Sequence, residues 1–599
     1  MARRLINTRS HAIRITARIA ASALALGWLI VGHISIAQDD LAEQRVQYDD
    51  DSPKTILELQ QFRSVTRSAL QRADGVSGFA ELINLSPTTN AWYLLTIAWS
   101  GTGKRAGYHL ENPYPKSQEL QLLSADTQRL DISTAPGTVC QLWASGKSSA
   151  LEDAAASGLP YAPLCDGTVY LRNPVAGHRT SLERVTDFLR DHVWGGDRVI
   201  GFVKREFYTD QFLEKNSPAT APAAPSPFPP ALAPWPADIS QFSPIPAINP
   251  NHLAFDVAAP GTGLAPGEWY AVRNLPGVMV SAIAPENIRE DILNAHQPSV
   301  NSLGTIEANA LVYLTSFDLQ QLDLHFALGT DHPRLDWSDR PPLSSQDPRL
   351  PGPDGVASTA PLVTNGMISP AQIARTVAAF AGGFKRTHGA FKYGPLAQRN
   401  HGSHYGFVEQ GVVFSKLQPG LATVVVMDDG SVDMKTWSKA DDSQLEHIRY
   451  ARQNGVPLIE LDPERNKGVP GSLVNLWGPG NWSGSAGEDL RTLRAGLCLQ
   501  DGPTRRFLIY GYFSAATPSA MARVFQAYHC RYAMHLDMNA LEHTYLALYV
   551  QQNEQTQVEH LIQGMEVVDR TTHDRLVPRF LGFPDDRDFF YLTKKQNPK

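Results

Sequence analysis

The sequence predicts an α+β protein: an N-terminal mixed α+β module, a Pro/Ala-rich linker, and a C-terminal domain of mixed β-sheet with helices. Three observations predict it. Short apolar runs rich in β-branched and aromatic residues recur along the chain, each closed by Gly, Pro, Asn or Asp, as strands are. Helix-start signals stand between them, notably Ser369-Pro370 and Thr517-Pro518, each with an N-cap residue before a proline at the first helical position. From Ser217 to about Pro250 proline and alanine dominate. Proline fixes φ and lacks a backbone donor, so that stretch reads as an extended, semi-rigid linker.

The resulting divisions are residues 1–37 as an export segment, 38–215 as the first module, 216–251 as linker and 252–599 as the second domain. Apolar residues make up 42% and charged residues 19% of the 599, so both modules have the material for a core. A net charge of -7 gives no basic footprint, which argues against a nucleic-acid partner.

Arg3, Arg4, Arg9, Arg14 and Arg18 precede an apolar run from Ile19 to Ile36, and Ser35-Ile36-Ala37 offers small residues at the positions a signal peptidase reads. Cleavage after Ala37 would deliver the chain to the periplasm or the medium. The run is also just long enough to serve as an uncleaved anchor and hold the protein at the envelope.

In the first module, Thr55–Gln71 reads as an amphipathic helix, and Trp92–Trp99, Val139–Trp143 and Thr168–Leu171 as strands. Thr180 and Glu183 form a capping box, with Glu183 reaching back to the N-cap; its helix runs to Trp194, and a strand follows at Val199–Lys204. In the second domain, strands are predicted at Trp269–Arg273, Val278–Ile283, Ala310–Phe317, Leu322–Phe326, Val412–Phe414, Thr423–Met427, Val432–Trp437, Phe507–Phe513 and Tyr532–Asp537. Helices are predicted from Ser369 to Gly382-Gly383, at Ser443–Gln453, and from Thr517 to near Cys530.

The four cysteines allow three pairings, and proximity favours Cys140 with Cys165 and Cys498 with Cys530; four buried free thiols are the alternative. No C-x-x-C pair or G-x-S-x-G elbow is present. His401-Gly402-Ser403-His404 lacks a complete metal-ligand set even with Glu409. Asp537, Glu542 and His543 have a metal-like composition, but helical spacing separates Glu542 from His543. No metal or cofactor is assigned. Asn481-Trp482-Ser483 matches a glycosylation sequon, a triplet that chance also produces.

Several joints of the second domain carry a resemblance. They are Pro276-Gly277-Val278, Phe317-Asp318-Leu319, Phe380-Ala381-Gly382-Gly383-Phe384, Arg494-Ala495-Gly496-Leu497, Ala515-Ala516-Thr517-Pro518 and Leu536-Asp537. In order and spacing, over roughly residues 265–550, these resemble the phosphodiester glycosidase family, which includes the lysosomal uncovering enzyme and bacterial envelope proteins associated with exopolysaccharide. The family reads Asn-Gly-Gly-Phe where this chain has Ala381 before Gly382, and Leu-Asp-Gly-Gly where this chain has Met538-Asn539-Ala540 after Asp537. Side chains in place of those glycines narrow the site.

The resemblance implies an exported protein that hydrolyses a sugar-phosphodiester or a related surface-polysaccharide linkage. A phosphate leaving group has a second pKa of ~6 and needs cationic or N–H stabilisation more than a general acid. Arg494 would hold the phosphate, and Asp537 would stabilise the oxocarbenium-like centre. Gly382, Gly383, Phe384 and Asn539 would line the substrate site. The alternative is a catalytically inactive member of the same fold that binds a glycan or another envelope component. Bland readings stand beside each residue: a surface ion pair for Arg494, a helix-capping carboxylate for Asp537, a helix C-cap for Gly382-Gly383.

Overall fold

The computed structural model describes residues 55–123, 126–135, 138–146, 149–180, 183–184, 213–215, 229–240, 245–259, 263–297, 299–332, 356, 358–384, 406–477, 491–552, 555–572 and 575–596. The export segment, residues 181–182 and 185–194 of the predicted helix to Trp194, Val199–Lys204, His401–His404 and Asn481–Ser483 lie outside these.

Among the described residues, 29 strands form six sheets, and every pair of neighbouring strands is antiparallel. Helices are few and short; the longest α-helix, Pro518–Ala527, has 10 residues. The architecture is therefore chiefly β, which overturns the expected α+β class with substantial helices. Thr55–Gln71 contributes one 3-10 turn, Ile56–Leu59, and then the strand Ser64–Gln71. After Ser369 a single turn, Pro370–Ile373, gives way to the strand Thr376–Ala381. In place of a helix over Ser443–Gln453 there is a 3-10 segment, Lys439–His447, and the strand Ile448–Gln453.

The physical reason is burial on both faces. All six residues of Thr376–Ala381 are buried, so Val377 and Phe380 satisfy a helical spacing and a strand equally well. Sheet pairing then decides: this strand lies between Phe589–Lys594 and Leu546–Gln552. Pro518–Ala527 is the one long segment whose local chemistry goes unopposed. Its N-cap Thr517 accepts from Ala520 N at 3.2 Å, a contact worth about 1 kcal/mol.

The largest sheet has eight strands: Tyr270–Ala271, Val278–Ile283, Val312–Asp318, Arg506–Ala516, Thr492–Asp501, Tyr532–Met538, Ile459–Asp462 and Lys467–Pro470, in that spatial order. One face packs on the helix through Cys498, Phe513, Met521 and Phe525. The other face, carrying Leu497, Tyr510, Met534 and Leu536, enters the main core. Two five-stranded sheets complete that core. One contains Thr376–Ala381 and Phe589–Lys594, the other Phe407–Glu409 and Ile448–Gln453.

Nearer the N-terminus lies a six-stranded sheet, Ser64–Gln71 through Arg105–Glu111 with Tyr161–Leu164 and Val169–Arg172, together with a three-stranded one. Ile83, Trp92 and Leu94 of the six-stranded sheet belong to the same apolar cluster as Phe414 and Tyr450. The described parts of the Pro/Ala-rich segment lie against the large sheet: Trp235 N donates to Gln500 Oε1 at 2.8 Å, and Trp269 Nε1 donates to Trp235 O at 2.9 Å.

Disulfides join Cys140 to Cys165 and Cys498 to Cys530, with Cα–Cα distances of 5.6 and 5.8 Å. Such bonds persist in oxidising compartments. No helix among the described residues is long and apolar enough to cross a membrane.

Candidate functional site

Three of the sheets meet at one polar seam. The strand Thr376–Ala381 ends there in Gly382-Gly383-Phe384, Ile448–Gln453 ends in Asn454, and Tyr532–Met538 carries His535 and Asp537. The run Asp585-Asp586-Arg587-Asp588 enters the seam just before the strand Phe589–Lys594, and all four side chains are buried.

Asp537 is 2% exposed. Its Oδ2 lies 2.7 Å from Arg587 Nη1, and its Oδ1 accepts from Met538 N at 2.8 Å. Arg587 is shared: its Nη2 is 2.7 Å from Glu183 Oε1 and 2.7 Å from His543 Nε2. Since Arg587 can only donate, His543 Nε2 accepts, and the hydrogen-bond network assigns the ring proton to Nδ1, which faces Met538 O at 2.6 Å. Burial pushes the Asp537 carboxyl up to about 6, against the pull of Arg587 and the Met538 N–H. Burial opposes the charge of Arg587 as well, yet Glu183 and Asp537 together outweigh it and hold the guanidinium above its ordinary value. Burial thus sets the direction for Asp537, and the two carboxylates set it for Arg587.

Arg452 and Asn454 tie this centre to the glycine corner. Arg452 Nη2 donates to Phe384 O at 2.8 Å and lies 3.3 Å from Asp588 Oδ2. Asn454 Nδ2 donates to His535 O at 2.5 Å and Leu536 O at 2.6 Å. Asp588 also accepts from His332 Nδ1 at 2.7 Å and Gly329 N at 3.0 Å. Burial opposes its ionisation, but His332, Arg452 and that N–H hold its carboxyl below the usual range. Gly382 N donates to Asp588 O at 2.8 Å. Gly383 has φ +134°, and a Cβ there would stand 3.2 Å from Arg452 Nη2. Ala381, just before the glycine pair, is buried and pairs with Phe589.

Arg494 occupies the neighbouring strand, directly opposite Met538. Its Nε donates to Ala516 O at 2.7 Å, and its Nη1 lies 3.2 Å from Met538 Sδ and 3.5 Å from His535 Nε2. Burial lowers its pKa to about 9. The cation on Asp537 is thus Arg587, and Arg494 sits one residue away along the ladder with its own set of partners. Asn539 adopts φ +80°, and its Oδ1 accepts from Thr492 Oγ1 at 3.1 Å.

No family model matches the chain, and no curated protein matches it. Among solved structures it is 10% identical to the zebrafish N-acetylglucosamine-1-phosphodiester alpha-N-acetylglucosaminidase catalytic domain auto-inhibited by its pro-peptide. That alignment covers 54% of this chain and 85% of that one, with a TM-score of 0.27. A hypothetical protein from Synechocystis is 11% identical over 84% of this chain and 97% of that one, with a TM-score of 0.22. These are distant likenesses, and at such scores neither decides the fold or the chemistry.

Sequence reasoning placed Asp537 and Gly382–Phe384 on separate motifs, and they lie at one junction. It missed Arg587, Asp588, Arg452 and Asn454. A signal was present for the first two: a block of four charged residues, Asp585–Asp588, abutting the apolar run Phe589–Leu592. Glu183 was read as a capping-box residue. Its N–H does donate to the Thr180 hydroxyl oxygen at 3.2 Å, but its carboxylate accepts from Arg587.

Proposed function

We propose that the protein is an exported hydrolase acting on a sugar-1-phosphodiester or a related surface-polysaccharide linkage, with Asp537 as its reacting carboxylate. One observation carries the reading: Asp537 stands where the family motif places its aspartate and lies 2.7 Å from Arg587, in a seam that Arg452 and Asn454 bind to the Gly382–Phe384 corner.

A carboxylate beneath the anomeric carbon would offset the positive charge that develops as the phosphate leaves. The departing phosphate would find cations concentrated at the same junction, namely Arg452, Arg494 and Arg587. The basic start of the chain, its apolar run and the two disulfides support an oxidising, extracytoplasmic location.

A second reading, a catalytically inactive glycan- or envelope-binding protein, is favoured by Met538. Its sulfur takes an Arg494 N–H where the family has glycine. Assays of purified protein on sugar-1-phosphodiesters separate the two. Turnover that Asp537→Asn abolishes supports the hydrolase. Binding without turnover, equal in wild type and Asp537→Asn, supports the binder.

A further inference from the structure

We propose that Glu183, carried by the N-terminal module, is a positioning residue of the Asp537 site, so that the two modules complete one site together. The inference rests on Asp537 being the reacting carboxylate.

The segment bearing Glu183 is laid onto the Asp585–Asp588 turn by its own backbone and side chains. His178 N donates to Pro584 O at 2.9 Å, and Asp586 N donates to His178 O at 3.3 Å. Arg179 reaches Asp331 Oδ1 at 2.5 Å through Nη2 and Asp586 Oδ2 at 2.8 Å through Nε. Thr180 Oγ1 donates to Glu542 Oε1 at 3.2 Å. Gly177 permits this approach: a Cβ there would stand 2.1 Å from Thr330 Oγ1 and 2.6 Å from Asp586 N. Glu183 is 6% exposed at the end of this path.

Arg587 is planar, and a plane is fixed only when it is held at more than one point. Nη1 is held by Asp537, while Nη2 is held by Glu183 and His543. Of the two Nη2 partners, Glu183 alone carries a fixed negative charge, so it sets the tilt of the guanidinium and through it the angle of the Asp537 carboxylate. It also draws part of the Arg587 charge away from Asp537, leaving that carboxylate less neutralised. The charged and titratable groups facing Asp537 are Arg587, Glu183, His543, Arg452 and Tyr510. Glu183 is the one contributed by the first module. Nothing in the second domain's motifs announces this dependence.

The test uses the full-length exported protein and a sugar-1-phosphodiester, with kcat and KM measured from acidic to neutral pH for wild type, Asp537→Asn, Glu183→Gln and Glu183→Asp. For Glu183→Gln, kcat should fall about tenfold or more, with KM within about threefold, because orientation and not ground-state binding is lost. The acid limb of its profile should move to lower pH, since a negative neighbour of Asp537 is gone. Glu183→Asp keeps the charge but falls one methylene short, so it should show an intermediate kcat and the wild-type limb. It carries the test should Glu183→Gln fold poorly, which thermal melts report. Wild-type kcat in either variant overturns the proposal, and so does a gain in kcat, which would make Glu183 a block over the site. Full activity in Asp537→Asn, or none in wild type, instead removes the reading of Asp537 itself, and the role of Glu183 falls with it.

Discussion

Arg494 and Met538 face each other across paired antiparallel strands, with Nη1 3.2 Å from the methionine sulfur. A thioether is a weak acceptor, so this contact is a weak one, and the methionine side chain fills the space beside the guanidinium. Replacing Met538 by alanine should therefore do two things. It should cost roughly 2–5 kcal/mol of stability, the usual range for truncating a buried methionine. It should also uncover Arg494 and tighten the binding of a sugar-1-phosphate, measured by calorimetry. A drop in melting temperature with unchanged affinity would make Met538 core packing only.

Asp537→Asn should abolish turnover. From the sequence alone little stability should be lost, because no volume changes. The ion pair alters that expectation. Breaking a buried pair by removing one partner costs about 3–5 kcal/mol when the remaining charge is orphaned. Arg587 keeps Glu183 at 2.7 Å, so the loss should fall below that range. Urea unfolding of Asp537→Asn, Glu183→Gln and the double variant measures the difference. The double variant should lose more than the sum of the singles, because only it leaves Arg587 without a carboxylate partner on either terminal nitrogen.

How much of this was legible follows from what each signal depends on. Strands bounded by turns were readable: Val278–Ile283 matches its predicted bounds, and Asp428-Asp429-Gly430 turns between Ala422–Met427 and Val432–Thr436 as its composition requires. Thr517-Pro518 was readable because capping is local. Ser369-Pro370 carries the same signal, yet its helix stops after Ile373, since two neighbouring strands bid for Thr376–Ala381. The site was half legible for the same reason. Asp537 and the glycine corner are marked by motifs, whereas Arg452, Asn454 and Arg587 matter only through partners distant in sequence. A pairing such as Glu183 with Arg587, separated by 404 residues, leaves no local trace.

The disulfides offer a separate test. Non-reducing peptide mapping should recover Cys140–Cys165 and Cys498–Cys530. They close separations of 25 and 32 residues, each adding roughly 3–4 kcal/mol by restricting the unfolded chain. Cys498 and Cys530 join the strand that carries Arg494 to the segment just after Pro518–Ala527. Replacing both by alanine should lower the melting temperature and loosen the helix Pro518–Ala527, seen as faster amide exchange there. A linkage between Cys140 and Cys498 or Cys530 would contradict the fold.

Glu409, beside the Asp588 end of the seam, supplies a pH test. It is 5% exposed, accepts from Leu328 N at 3.0 Å, and faces Arg172, Glu111 and Asp588. Burial pushes its carboxyl up to about 8 from an ordinary 4.5, although Arg172 and the Leu328 N–H pull the other way. A raised folded value means the native state holds the proton more tightly than the unfolded chain. The associated stability is complete below about pH 4.5 and is lost as pH rises through about 8. Glu409→Gln keeps a neutral acceptor for the Leu328 N–H and has no proton to lose. The melting temperature of the variant minus that of wild type should therefore climb steadily from pH 5 to pH 8. Asp537, His325 and His535 titrate in both proteins, so their contributions cancel in this difference. Parallel curves for the two proteins would mean that Glu409 is already ionised in the fold at pH 5, with Arg172 neutralising it.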